Sequence, residues 1–273
     1  MKTIFKIILI QFLALNMSWG QQVKNCGFDQ VFLNNKELKK AYLEKNNQIK
    51  NTTSVADPNT VYTIPVVFVL FHLGNTVGSG ANITDLQVAN SVAKMNRGLR
   101  ASGEYLNLGL DTKIQLQLAQ YDNNCTPFSG IVRINASSVP NYSNGFSIYD
   151  ETMMNNLQAL VPNYLDNEVI KIFVVDDFIE YDGWGNWWGT MIVEQHIARN
   201  SNELLIHEIG HTLSLSHTFQ SDDGQCAPNS DPENQGDYIS DTDPHLQSDY
   251  CVYKSPTTIN SCTNQPYGNL LKN

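Results

Sequence analysis

From Thr63 to Phe71 the chain reads Thr-Ile-Pro-Val-Val-Phe-Val-Leu-Phe, an apolar run rich in β-branched and aromatic residues. Such a run predicts a buried strand entered after Pro65. Thr84-Asp-Leu-Gln87 has the form of a capping box, and Val88, Val92, Met95 and Leu99 follow at helical spacing. An amphipathic helix over 85–99 is predicted. Lys113–Ala119 alternates polar and apolar positions as a half-buried strand does, and Ile131–Ile134 predicts a short strand. Glu151–Leu160 predicts a helix stopped by Pro162. Val169–Val175 predicts a second buried strand. Tyr181–Thr190 is loaded with Gly and Trp and reads as a loop, and Met191–Ile197 reads as a strand. A helix from Glu203 to Ser214 is expected, capped by Ser201. Beyond His217 the chain turns polar, acidic and rich in Cys and Pro. This order predicts an α/β (α+β) layer on a mixed sheet.

The first twenty residues follow a different pattern. Lys2 and Lys6 precede an apolar run from Ile7 to Met17, and Ser18-Trp-Gly20 supplies small residues for a cleavage site. The segment 1–20 reads as a secretory signal peptide, too short to span a bilayer comfortably. No later segment is apolar enough for stable membrane insertion, so a secreted (extracellular) protein is expected. Residues 21–58 are polar, with a short helical pattern near Lys36–Lys45, and read as a leader or propeptide. Residues 59–273 form the main domain.

Charge and cysteines narrow the picture further. The formal net charge is −10. Taking away Lys2 and Lys6 leaves 15 basic against 27 acidic residues. That balance argues against nucleic acid and anionic membranes as partners. Export favours disulfides. The five cysteines, Cys26, Cys125, Cys226, Cys251 and Cys262, are an odd number, so at least one thiol has no partner within the chain.

Residues 207–217 read His-Glu-Ile-Gly-His-Thr-Leu-Ser-Leu-Ser-His. His207 and His211 are four apart on the expected helix, so both imidazoles project from one face. Glu208 lies one step round, within reach of a water on a shared metal. His217 joins them as a third ligand if the helix ends and the chain turns back. Three protein ligands leave a position open for water, as in a catalytic zinc site and unlike a closed structural one. This pattern points to Zn²⁺ held by His207, His211 and His217, with Glu208 as general base. A surface helix with chance histidines is the plain alternative, which the helix, the third histidine and the export signal disfavour. His72, His196 and His245 have no paired spacing and read as structural or surface residues.

The stretch His207–Phe219 resembles the metzincin metallopeptidases, and within them the pappalysin family, which includes ulilysin-like bacterial enzymes. Tyr62–Phe68 looks like that family's first strand. Gly236-Asp-Tyr-Ile-Ser-Asp-Thr242 resembles its Gly-Asp-x-x-x-Asp-Thr stretch, and Cys226, Cys251 and Cys262 resemble its cysteine pattern. The resemblance implies a zincin with a twisted sheet, a backing helix and an active-site helix. It implies cleavage of internal bonds in protein or peptide substrates, which lie extended along a sheet-edge strand. Trp187–Val193 is the candidate edge, while Trp184, Trp187 and Trp188 read equally well as core packing. Some members need calcium, and the acidic loop Asp222–Asp243 has oxygen ligands for Ca²⁺, although a solvated loop is the plainer reading. The resemblance pairs Cys226 with Cys262. It also suggests Cys26 as a latency thiolate at the fourth zinc position, a role a soft ligand suits. A Cys26–Cys125 disulfide is the equal alternative.

Two departures from the family pattern stand out. Ser214 occupies the place of the glycine that lets the third histidine return, and serine at positive φ is strained. No Met follows Met191, so the family's methionine-containing turn beneath the metal is missing. Hence the chain is expected to be truncated, its C-terminal subdomain incomplete. Two further functions compete with an endopeptidase: a truncated, non-catalytic zinc-binding secreted protein, and a zinc hydrolase acting on a non-peptide bond.

Overall fold

The computed structural model describes residues 57–107, 109–162, 169–186, 189–219, 235–239 and 259–265, with positions 36, 37, 40, 44, 226 and 246. The signal-peptide segment and most of the leader lie outside the described residues. So does most of the Asp222–Asp243 loop. The four described leader positions are helical.

Strand β1 (Tyr62–His72) is followed by helix α1 (Asp85–Leu99), β2 (Ile114–Leu118), β3 (Ile131–Asn135), α2 (Glu151–Leu160) and β4 (Ile170–Val175). Then come β5 (Gly183–Asn186), β6 (Thr190–Glu194), α3 (Gln195–Arg199) and α4 (Leu204–Thr212). The sheet order is β2-β1-β4-β6-β5. Strands β2 and β3 lie along the same side of β1, β2 against its first half and β3 against its second, both parallel. Strand β5 alone runs antiparallel, so the sheet is mixed, as expected.

Strand β1 carries a continuous apolar run because both its faces are covered. Val66, Phe68 and Leu70 meet Val88, Met95 and Leu99 of α1 and Leu205 and Ile209 of α4. Val67, Val69 and Phe71 meet Met153 and Leu157 of α2 with Tyr142, Phe146 and Phe178. Helix α1 starts at the expected capping box: the Thr84 hydroxyl accepts from Gln87 N, and the Gln87 side chain accepts from Thr84 N. It backs α4 at close range. A Cβ on Gly98 would stand 2.7 Å from the Ile206 side chain.

Three expectations are corrected. The Tyr181–Thr190 segment is not all loop, because Gly183–Asn186 forms β5. The strand expected over Met191–Ile197 stops at Glu194, and Gln195 begins α3. Ser201 does not cap α4; the Asn202 side chain accepts from Leu204 N instead, and the helix spans Leu204–Thr212.

Candidate metal centre

Helix α4 presents His207 and His211 from one face, and a turn brings His217 back to them. That turn is a Schellman motif. Leu215 N donates to Gly210 O at 3.0 Å and Ser214 N to His211 O at 2.9 Å. Ser214 sits at the left-handed position with φ 74°, so serine makes the bend at which glycine was expected. The three imidazole Nε2 atoms end 3.1 Å from one another in all three pairs.

The surroundings suit these rings to holding a metal ion. His211 is 3 % and His217 7 % exposed. Burial, with the neighbouring rings of His217 and His207, pushes the His211 pKa down to about 2, so this ring stays neutral. His211 Nδ1 donates to the Leu215 carbonyl at 2.7 Å. That bond fixes the proton on Nδ1 and turns the Nε2 lone pair toward the other two rings. Phe219 stacks on His217 with centroids 4.6 Å apart and 16° between planes. Three nitrogens converging at this spacing fit one ion with bonds of ~2.0–2.1 Å, as zinc makes to imidazole.

Glu208 is fully buried. Its wall is built by β5. A Cβ on Gly183 would lie 2.9 Å from Glu208 Cγ, and one on Gly185 only 2.2 Å from the Glu208 carbonyl oxygen. The two glycines let the strand backbone lie directly on α4. The sequence reading missed both, although small residues alternating on one face of Gly183-Trp-Gly185 are the local sign of a close backbone approach.

Other expected site residues fall in several places. Strand β6 lies between β4 and β5, so Trp187–Val193 is not the sheet edge; among the described residues that edge is β5. Trp184 is buried in the core, which favours its packing role, while Trp187 and Trp188 lie outside the described residues. Cys226 and Cys262 form a disulfide with Cα atoms 5.5 Å apart. Cys125 is a free, exposed thiol, which corrects the Cys26–Cys125 disulfide; it stands at φ 60° in a short turn closed by its N–H on Asp122 O. Cys26, Cys251 and His245 lie outside the described residues. His72 ends β1, and its Nδ1 accepts from Gly74 N. His196 is not a bare surface residue: it lies against Glu194 and Asp182.

The fold is similar to that of metzincin-type metallopeptidases, and the three histidines converge within it. The model of a peptidase family described as Pregnancy-associated plasma protein-A matches residues 184–269, which include the three histidines and Glu208. This agrees with the pappalysin resemblance read from the sequence. Among solved structures, a promirolysin point mutant from Tannerella forsythia is similar at 21% identity and a TM-score of 0.61, over 89% of this chain and 83% of that one. Mature mirolysin from the same organism, in complex with a cleaved peptide, matches at 21% identity and TM-score 0.57. That match spans 77% of this chain and 81% of the other. Mirolysin in complex with compound 9 matches at 20% identity and TM-score 0.55, over 78% of this chain and 84% of that one. No curated protein sequence matches the chain.

Proposed function

We propose that this chain is an exported zinc-dependent endopeptidase in which His207, His211 and His217 hold the metal and Glu208 is the general base. The observation that carries the reading is the convergence of three Nε2 atoms at 3.1 Å, with one carboxylate buried on the same helix. Bound there, zinc supplies a Lewis acid for the substrate carbonyl and lowers the pKa of water to ~7. Glu208 accepts the proton of the attacking water and passes it to the leaving amine. The glycine-lined wall of β5 holds the Glu208 carboxylate away from bulk solvent. His211, its tautomer set by Leu215 O, keeps the donor set in register. A peptide lying extended beside β5 adds a strand at the sheet edge, with its main chain paired and its side chains alternating.

Residues 1–20 direct export, and 21–58 act as a propeptide removed on activation. Supporting this, the proenzyme similarity covers 89% of the chain and the mature one 77%. Among the described residues no helix is long and apolar enough to cross a membrane. Cys26 is assigned the latency role, since Cys125 is a free thiol.

The test is casein hydrolysis by the purified exported chain, with zinc content measured beside it and Glu208→Ala as control. Cleavage that needs zinc and vanishes in the variant is the expected result. One zinc per chain without cleavage points instead to a non-catalytic zinc protein. A chain that takes no zinc refutes the ligand assignment.

A further inference from the structure

A second group of metal-ligating side chains lies at the start of β5. Asp182, Glu194 and His196 bring one ligand atom each to within 4.8 Å of the others. None of the three belongs to the histidine centre. Gly183 pairs with Val193 across the β5–β6 ladder, so Asp182 and Glu194 are the next cross-strand neighbours. Glu194 N donates to Asp182 O at 2.9 Å, which locks them side by side. The two residues are 2 % and 9 % exposed.

Like charges directly opposite on an antiparallel pair repel, the more so away from water. Phe178 N donates to Glu194 Oε2 at 3.3 Å, and a positive charge at this spot would offset the repulsion further. His196 covers one side: its Nδ1 is 2.8 Å from Glu194 Oε1. The other ring nitrogen, Nε2, stands 3.8 Å from Asp182 Oδ1, beyond a hydrogen bond. Two ligands of one ion with bonds of ~2.1 Å are held ~3.4 Å apart in tetrahedral geometry and farther as the angle opens. A ring with one nitrogen on a carboxylate and the other turned to a second carboxylate has the arrangement of a carboxylate–histidine–metal unit.

We propose that Asp182, Glu194 and His196 form a second divalent-cation site. Asp182 and His196 Nε2 are the direct ligands, and Glu194 orients the ring. One imidazole with carboxylate oxygens suits zinc and its first-row neighbours better than calcium. The His196 side chain is 24% exposed, which leaves the ion a route from solvent. The ion would tie Asp182, just before β5, to His196 in the first turn of α3, just after β6. Gly183, next to Asp182, lies on Glu208, so the clamp would hold the strand that walls the general base.

The experiment counts metal per chain. The full exported chain is equilibrated with Zn²⁺, freed of excess and analysed for bound zinc. Two equivalents are expected in the wild type. His196→Ala and Asp182→Asn should each keep one, and His211→Ala should also keep one. X-ray absorption of the His211→Ala chain then reads the remaining ion directly: one imidazole with oxygen donors supports the site, and two or more imidazoles overturn it. This arm does not need the His196 variant to fold. One equivalent in the wild type that survives His196→Ala overturns the proposal and leaves the histidine centre standing. Two equivalents retained in His196→Ala also overturn it. A single equivalent lost with His196→Ala but kept in His211→Ala supports this site and sinks the ligand assignment of the proposed function.

Discussion

Two polar clusters sit at opposite ends of helix α4 and solve the problem of burial in opposite ways. At its N-terminal end, Lys94 of α1 reaches Glu203 at 3.0 Å and Glu104 at 3.1 Å, and Arg97 reaches Glu104 at 2.8 Å. Opposite charges meet there, so the cluster is complete with its own residues and fastens α4 to α1. At the other end three imidazoles point the same kind of atom at one spot, and that of His211 cannot take a proton in the ordinary range. Such a set has lone pairs aimed at one point and no cation among its own members. The first cluster is finished by folding, and the second, on the proposed reading, would be finished by a metal ion. Framework and function are thereby separated along nine residues of helix.

The largest effect separates the two ends outright. His211→Ala should abolish zinc retention at the histidine centre, and with it the stabilisation that a bound ion gives, about 2.7 kcal/mol at a hundredfold excess over Kd. Thermal unfolding with and without zinc checks this: the variant should lose that part of the zinc-dependent rise. Lys94→Met should keep the full zinc-dependent rise. It should lower stability in both states by only about 1 kcal/mol, because its partners face solvent.

Gly185→Ala tests whether the wall matters to the site. The added methyl meets the Glu208 carbonyl at 2.2 Å, so strand and helix must part. A loss of about 1–3 kcal/mol in urea unfolding is expected, with a fall in kcat larger than any change in KM.

Acid distinguishes the ends again. In the metal-free protein the His211 pKa lies near 2 against an ordinary 6.5, so the unfolded chain binds this proton first. Stability from this group is full above pH ~6.5 and falls as pH drops toward the folded value. Arg97 and Lys94 hold Glu104 down to about 2 from an ordinary 4.5, so its contribution begins to fade only below ~4.5. A melting series on chelated protein should therefore decline already between pH ~6.5 and ~5, and added zinc should raise stability without removing that decline, because a zinc-held ring is also unprotonated in the folded state.

Ser214→Gly should give the smallest change. Relief of the left-handed serine at φ 74° is worth about 1 kcal/mol. Glycine also loosens the unfolded chain, which offsets part of this gain. A small rise in melting temperature with unchanged zinc affinity is expected.

The sequence by itself determined what depends on near neighbours along the chain. The capping box of Thr84 and Gln87, the continuous apolar strands β1 and β4, and the four-residue spacing of His207 and His211 are all written in local periods. The family likeness of the zinc motif was legible for the same reason. Only the tertiary structure decided what depends on distant pairs. Glycine has no hydrophobic signature, so Gly183-Trp-Gly-Asn186 read as loop until the helix it lies on was in place. Strand order cannot be seen from within one strand, so β6 was mistaken for the edge that β5 forms. Asp182 and His196 carry no motif spacing, and they meet because an antiparallel ladder sets Asp182 beside Glu194. The bend at Ser214 marks the boundary between the two. Its position was readable from the spacing of the histidines, but only the folded turn, closed on Gly210 and His211, shows that serine makes it.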